Sequence, residues 1–182
     1  WMTDRSKWLT AEQVLRERNI GLTSTTGTGL MTGSKVGRLC WLDFDGEEID
    51  EETGVVRRSA SLDLETVCGI SAEQLKKDYP TVISISGRPG RFRALYKIPQ
   101  YTGTDLDNFS LIKLGPTKSL DFLYEKSGGK QFHAVVEGDH PDGNGWYYRW
   151  EKGFSPTEIK IADLPFKIIY GLIRAKTTKA CK

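Results

Sequence analysis

The sequence predicts an α+β domain whose sheet is mixed and largely antiparallel. Short segments of alternating apolar and polar residues are separated by turns rich in glycine, proline or aspartate, which is typical of strands joined by hairpins. Other segments begin with the capping signals of helices. The 182 residues fit one domain, and a hydrophobic fraction of 38% is enough for a packed core. The strands and helices do not alternate as in a doubly wound nucleotide-binding fold.

Four segments carry the sequence signals of helices. Two begin with a capping box, in which a hydroxyl side chain and a glutamine three residues later satisfy free backbone amides. The third has a proline at its first helical position, and the fourth has an apolar face with helical spacing. The predicted helices cover residues 10–18, run from Ser71 to just before Pro80, begin at Ser155, and cover residues 166–175.

Six segments are predicted as strands, because apolar, β-branched and aromatic residues dominate them between turn residues. A glycine pair at 128–129 predicts a hairpin that returns the chain as a neighbouring strand. The glycine-rich segment 27–35 lacks the spacing of a phosphate-binding loop, so we expect a flexible loop there. The predicted strands cover residues 38–45, 82–86, 92–98, 120–125, 131–136 and 146–150.

The strand at 38–45 ends in two acids, Asp43 and Asp45. Alternate side chains of a strand share a face, so both carboxylates point the same way as Leu39 and Trp41. Two carboxylates at the rim of a core repel each other and resist desolvation, unless a divalent metal or a cationic substrate complex neutralises them. The pattern predicts a metal site; the alternative is that both acids face water beside the turn at 46–48.

An arginine-rich hairpin follows the strand at 82–86. Arg88, Arg91 and Arg93 lie within or just after a turn that contains two glycines. The guanidinium forks suit phosphate oxygens, and the glycines let a phosphate approach the backbone. The segment therefore predicts a phosphate clamp; the alternative is a solvated hairpin with scattered arginines.

The third candidate region covers residues 119–143. Asp121 lies on the less apolar face of its predicted strand and is a candidate for a third carboxylate. His133 lies within a strand, where a lone histidine is typically a packing residue. His140 lies in a loop at the sheet edge, from which a side chain can reach a ligand, so it is the better functional candidate.

Composition and cysteine use indicate a soluble, intracellular protein. The net charge of +2 argues neither for nor against a nucleic-acid partner. The three cysteines, Cys40, Cys68 and Cys181, have neither metal-ligand spacing nor the even number of a disulfide framework. There is no apolar stretch of membrane-spanning length and no signal-peptide pattern.

The order of these motifs resembles a known family. An apolar strand ending in DFDG is followed by YPTVISISGRPGRFRALYKIP, by LDF, by a glycine-pair hairpin and by DHPDGNGWYYRW. This order is similar to that of the N-terminal prim-pol domain of bifunctional DNA primase/polymerases, in the archaeo-eukaryotic primase superfamily. The versions in plasmid, phage, cyanobacterial and CRISPR-linked proteins are the most similar. The resemblance covers roughly residues 20–172.

The resemblance implies an archaeo-eukaryotic primase-like core with an RRM-like sheet flanked by helices. Residues 1–176 would form the prim-pol catalytic domain, with an N-terminal truncation expected from the abrupt start at Trp1, and residues 177–182 a basic tail or linker stub. The implied protein is a cytoplasmic DNA primase and DNA polymerase. Its implied partners are a single-stranded DNA template with its primer, dNTPs or NTPs, and an appended or separate helicase or CRISPR-associated proteins, with no membrane.

The resemblance also assigns roles to residues. Asp43, Asp45 and Asp121 would form a carboxylate triad that holds two Mg²⁺ or Mn²⁺ ions for template-directed nucleotidyl transfer. Two positions depart from the family pattern. The histidine that follows the middle serine or glycine in many relatives is absent, and Gly138 stands where a serine is usual. The implied nucleotide-binding residues are Ser86, Arg88, Arg91, Arg93 and His140.

Two other functions fit parts of the pattern. A glycosyltransferase also uses an Asp-x-Asp pair after an apolar strand to hold Mn²⁺ and a nucleotide diphosphate, but normally has a larger chain and a parallel nucleotide-binding sheet. A prim-pol fold without catalysis, kept as a nucleic-acid-binding or replication-initiation module, fits the missing histidine of the middle motif.

Overall fold

A computed structural model describes residues 28–100, 112–126, 130–140 and 145–180 of the chain. These residues form an α+β fold, as the sequence predicts, with a short 3₁₀-helix at Ser34–Val36. The strands are β1 (Thr28–Met31), β2 (Leu39–Asp45), β3 (Glu47–Ile49), β4 (Val56–Ser59), β5 (Val82–Ile85), β6 (Arg91–Lys97), β7 (Ile112–Leu114), β8 (Leu120–Leu123), β9 (Glu125–Lys126), β10 (Lys130–Gln131), β11 (His133–Asp139), β12 (Tyr147–Trp150) and β13 (Ala162–Asp163). The helices are α1 (Ala60–Cys68), α2 (Ala72–Asp78) and α3 (Phe166–Ala180).

One large sheet organises the described part of the chain. Its strand order is β1-β11-β12-β5-β6-β2-β8-β7, and β13 joins it beside β6. The pairs along this order are antiparallel, whereas β13 and β6 are parallel, so the sheet is mixed and largely antiparallel. The sheet also curls, because the Gly33 N–H donates to Leu39 O of β2 at 2.9 Å and the Thr32 hydroxyl donates to Tyr124 O at 2.7 Å.

The two faces of β2 pack into two separate cores. Trp41 points into the curl, where it packs with Val82, Leu95 and Val136. The alternate side chains point to the outside, towards the three helices. This outer core contains Cys40, Leu42 and Phe44 of β2 together with Leu64, Leu75, Ile168, Ile169 and Leu172 of the helices. The predicted faces of the strand are therefore confirmed, and Asp43 and Asp45 follow Trp41 on the inside face.

The predicted caps and apolar face are confirmed for two helices. The Ser71 hydroxyl accepts from the Gln74 N–H at the start of α2, and the Gln74 side chain accepts from the Ser71 N–H. Helix α3 starts at the predicted residue and continues to Ala180, so it includes the first residues of the predicted tail at 177–182. Within the described ranges, no helix combines the length and the apolar character needed to span a membrane.

Three predicted elements differ from the structure. The predicted loop at 27–35 contains β1 and the 3₁₀-helix, because its backbone pairs with β11. The predicted helix at Ser155 is a single turn, in which the N–H groups of Glu158 and Ile159 both donate to Ser155 O at 3.0 Å. The predicted hairpin around residues 128–129 is present as the short antiparallel pair of β9 and β10, but β11, which follows it, lies between β1 and β12 and not beside β8.

The charged segment after β2 contains elements that the sequence did not predict. Strands β3 and β4 form an antiparallel hairpin where a turn was expected, and α1 follows directly. The Ser59 hydroxyl caps α1 by accepting from the Leu62 N–H at 3.1 Å. The predicted helix at 10–18 and the glycine pair at 128–129 lie outside the described residues.

Gly171 allows α3 to approach α1 closely. A Cβ at this position would lie 2.7 Å from Cys68 Sγ and 2.8 Å from Val67 O. We expect Gly171→Ala to lower the free energy of unfolding by about 1–3 kcal/mol, since a backbone oxygen of α1 cannot move aside easily. Urea unfolding measures the effect, with Lys167→Ala on the exposed side of α3 as the control. Equal stability of the two variants would contradict the close contact.

Candidate active site

Five polar residues form one row across the inside face of the sheet. Asp43 of β2 is the direct cross-strand partner of Arg93 on β6 and of Asp121 on β8. The row extends to Ser84 on β5, opposite Arg93, and to Lys113 on β7, opposite Asp121. Directly opposed side chains of a sheet lie on the same face. Two of the three predicted acids are therefore neighbours, although they lie 78 positions apart in the sequence.

Asp45 lies in a second row, two residues further along β2. Its cross-strand partner is Arg91 of β6, whose guanidinium nitrogen lies 3.7 Å from Asp45 Oδ1. Arg58 of β4 approaches from the other side and places its Nη2 3.1 Å from Asp45 Oδ2. The Arg58 Nε also donates to the Ser119 hydroxyl at 3.5 Å, at the start of β8. Asp45 thus lies between two arginines from different strands.

Burial changes the ionisation of two of the acids. It raises the pKa of Asp43, and the positive charge of Arg93, whose Nε lies 3.0 Å from Asp43 Oδ1, opposes the rise. This ion pair is close but poorly aligned for a hydrogen bond from Nε. Burial also raises the pKa of Asp121, against the opposing charge of Lys113 at 3.6 Å. Any further positive charge in the site would therefore stabilise the ionised forms of both acids.

A single open pocket joins most of the predicted site residues. Its volume of about 300 Å³ includes space open to solvent, and its lining includes both acids of β2, two arginines of β6, and residues of β5 and β12. Arg88 and Asp121 do not line it: Arg88 lies over the Trp146 ring, 4.6 Å from its centroid, and Asp121 lies beside Asp43 on the next strand. The lining residues are Asp43, Phe44, Asp45, Ser84, Ser86, Arg91, Phe92, Arg93, His140 and Tyr148.

His140 forms one wall of this pocket. Its ring stacks on Tyr148 with 5.2 Å between centroids, and Trp146 meets it edge-on at 6.0 Å. The His140 N–H donates to Trp146 O at 3.0 Å, which fixes the backbone after β11. The Arg93 guanidinium lies over the ring of Tyr148, 5.3 Å from its centroid. The structure therefore brings His140 to the acids and arginines, as the sequence predicts.

The donor set suits a hard divalent cation. Carboxylate oxygens are the ligands that Mg²⁺ and Mn²⁺ prefer, and Asp121 Oδ1 is a buried acceptor without a hydrogen-bond partner. Within the described residues, however, no group of three or more His, Cys, Asp or Glu side chains is arranged so that it could hold a metal ion. The protein's own cations instead contact each acid, so Asp43, Asp45 and Asp121 would hold a metal only after these ion pairs rearrange.

Asp121→Asn is expected to stabilise the protein at neutral pH. The raised pKa of Asp121 means that folding disfavours its ionised form, so the charge lowers stability above the folded-state pKa. The gain should shrink as the pH falls below the folded-state pKa, where the folded wild type takes up the proton, and it should vanish below the unfolded-state value of 3.8, where both states bind the proton. Lys113 is half exposed and stays hydrated without its partner. Urea unfolding at pH 7 and pH 4 tests this, and a loss of stability at pH 7 would contradict it.

Sequence analysis missed several polar residues that contact the site. Arg58 and Lys113 pair with the acids, and Tyr148 stacks on His140. The strand pattern of 146–150 could have identified Tyr148, because alternate residues share a face. Arg58 has no comparable signal, since it lies in a run of charged residues. Comparisons with protein-family models, with curated proteins and with solved structures found no match to this chain.

Proposed function

We propose that this chain is the catalytic domain of a DNA primase/polymerase that carries out template-directed nucleotidyl transfer. The observation that carries the proposal is the alignment of Asp43 and Asp121 on adjacent strands, with Asp45 two residues along, beside a pocket that holds arginines and a histidine. Acids supply metal ligands, and the cations beside them suit a triphosphate. This is the combination that phosphoryl and nucleotidyl transfer require.

The fold is compatible with an archaeo-eukaryotic primase-like core. An antiparallel sheet carries the acids on one face, and helices α1, α2 and α3 cover the other face. The proposed family also has an RRM-like sheet with helices against it. A glycosyltransferase of the Asp-x-Asp type would need a parallel nucleotide-binding sheet, which the antiparallel pairing of β2 with β6 and β8 disfavours.

Asp43, Asp45 and Asp121 would hold two Mg²⁺ or Mn²⁺ ions. When bound, such ions lower the pKa of an attacking 3′-hydroxyl and neutralise the triphosphate and the leaving pyrophosphate. The protein's contribution is to fix the acids on rigid strands, so that little reorganisation is needed during the reaction. The buried and unpartnered Asp121 Oδ1 supports this role, because it is an acceptor that the protein leaves unused.

The cationic side of the pocket would bind the nucleotide phosphates. Arg91 and Arg93 project from one face of β6 next to the acids, and Ser86 lines the pocket at the end of the neighbouring segment. His140 is held against Tyr148 and would add a donor at the pocket wall. Arg88 is placed over Trp146, outside the pocket lining, so its proposed role is to support the turn rather than to contact phosphate.

A binding module without catalysis is the second candidate. Each of the three acids already lies within 4 Å of a cation of the protein, which is how a site without metal ions would be neutralised. Such a module would bind single-stranded DNA or nucleotides through its arginines and would not extend a primer. Catalysis would therefore require the three acids, whereas simple binding through the arginines would not.

Primer extension tests the proposal directly. The assay supplies a single-stranded DNA template, an annealed primer and labelled dNTPs with Mg²⁺ or Mn²⁺, so that it does not require the start of a new primer. We expect extension that EDTA abolishes. Absence of extension by folded protein at every metal concentration, combined with binding of the template, would replace the polymerase with the binding module.

A further inference from the structure

Arg58 reaches the site from outside the large sheet, on a separate two-stranded hairpin. It lies on β4, in the hairpin that follows Asp45, and its guanidinium contacts Asp45 Oδ2 at 3.1 Å and the Ser119 hydroxyl at 3.5 Å. Its neighbour on the strand, Arg57, points elsewhere and pairs with Asp50 within the hairpin. The position of Arg58 on the acid pair is therefore specific to this residue and not a property of the basic hairpin.

A buried carboxylate fixes the surface on which Arg58 lies. Asp63 of α1 is fully buried and accepts from the Thr117 N–H at 2.8 Å, the Thr117 hydroxyl at 2.8 Å and the Ser119 N–H at 2.7 Å. The Thr117 hydroxyl is in turn the acceptor for the Ser59 N–H at 2.9 Å, next to Arg58. This network ties the end of β4 to the start of β8, so Arg58 is presented to Asp45 from a fixed backbone.

We infer that Arg58 is a further substrate-binding residue, which pairs with Asp45 in the free protein and transfers to a nucleotide phosphate when a divalent cation occupies the acids. The inference rests on the proposed function, because it needs a metal–nucleotide complex as the ligand. It extends that function by naming a cation from the β3–β4 hairpin, and by making Arg58 and the metal ion competitors for one carboxylate.

The exposure of the Arg58–Asp45 pair makes this exchange physically reasonable. The side chains are 38% and 32% exposed, and ion pairs in such positions are weak because water and salt screen them. A guanidinium bound to phosphate through two parallel hydrogen bonds is stronger and more directional. Arg58 thus loses little by leaving Asp45 and gains a better partner in a triphosphate.

Opposite effects on two ligands are the signature of this exchange. Arg58→Ala should tighten the binding of Mn²⁺ alone by about 2- to 5-fold, because a competing ion pair is removed. The same change should weaken the binding of dATP in saturating Mn²⁺ by about 10-fold, because a charge-assisted hydrogen bond to phosphate is lost. If Arg58 had a purely structural role, its removal would weaken the binding of both Mn²⁺ and dATP.

The experiment compares wild type, Arg58→Ala and the matched control Arg57→Ala. Electron paramagnetic resonance measures free Mn²⁺ in the first titration, and calorimetry measures dATP binding in the second. Circular dichroism and thermal unfolding verify that each variant is folded. Arg58→Lys, which keeps the charge but not the fork, should bind Mn²⁺ like the wild type and dATP with intermediate affinity.

Each outcome has a defined meaning. Tighter Mn²⁺ and weaker dATP binding in Arg58→Ala, with Arg57→Ala equal to the wild type, supports the inference. The inference alone fails in two cases, provided that the wild type binds Mn²⁺. Either Arg58→Ala binds both ligands as Arg57→Ala does, or it binds both more weakly than the wild type. If the wild type binds no Mn²⁺, either alone or together with dATP, the proposed metal site fails, and the inference fails with it.

Discussion

Asp43→Asn is expected to reduce nucleotide incorporation by about 100-fold or more, because under the proposed function it removes a metal-binding carboxylate and with it several kcal/mol of transition-state stabilisation. Asp43 is the central acid of the site, since it lies opposite both Arg93 and Asp121. Asparagine keeps the shape of the side chain but cannot carry the charge. Primer extension under single-turnover conditions measures the loss, with Asp78→Asn on the opposite, helical side of the sheet as the control.

Asp121→Asn separates loss of chemistry from loss of structure. Asp43→Asn also leaves the half-buried Arg93 without its ionic partner, which lowers stability by itself. Asp121→Asn should instead be more stable than the wild type at pH 7 and still lose most of its activity. A variant that is both more stable and inactive cannot owe its inactivity to unfolding. Retention of full activity in Asp121→Asn would remove this residue from the proposed triad.

Gly115→Ala is expected to cause the largest loss of stability, about 2–4 kcal/mol. Gly115 has a φ of +72°, and a Cβ there would lie 2.5 Å from both Cα and Cβ of Asp63. The substitution therefore combines a strained backbone with a clash against the buried carboxylate. The loop from 115 to 119 cannot easily move away from α1 to relieve the clash, because its backbone donates to Asp63 through the N–H groups of Thr117 and Ser119.

Gly153→Ala is the matched control for this prediction. Gly153 has a similar φ of +84°, but a Cβ there would meet no atom within 4 Å. It should lose only the cost of the left-handed backbone, about 1–2 kcal/mol. Urea unfolding of both variants isolates the contact with Asp63 as the difference between them. Equal losses would show that the packing of Gly115 on α1 contributes nothing.

Much of the central sheet could be predicted because the side chains of its strands alternate strictly between the two faces. Leu42 and Phe44 alternate with Trp41 and Asp43, and the structure places the two sets on opposite faces. Ser71 was also predictable, because a capping box is a local signal. The short helix predicted at Ser155 was wrong: the same local signals support one turn, and the chain then extends and pairs with β6 as β13 instead of continuing as a helix.

The less predictable parts depend on long-range contacts. Arg58 lies in a segment whose charges look like a solvated surface, and only the pairing of β3 with β4 turns it towards Asp45. Asp63 likewise resembles an ordinary helical surface residue in the sequence, yet it is fully buried by a loop that begins 52 residues later. Neither contact follows from the spacing of neighbouring residues, because each is made between elements distant in the chain.

The ion pairs of the site also have a consequence for the order in which ligands bind. Asp43, Asp45 and Asp121 are surrounded by Arg58, Arg91, Arg93 and Lys113, so the cluster is not electrically negative before any ligand arrives. A free divalent cation would add positive charge to a group that is already neutralised. A cation that is already bound to a triphosphate carries compensating negative charge, so under the proposed function the site would favour the joint arrival of metal and nucleotide over their separate entry.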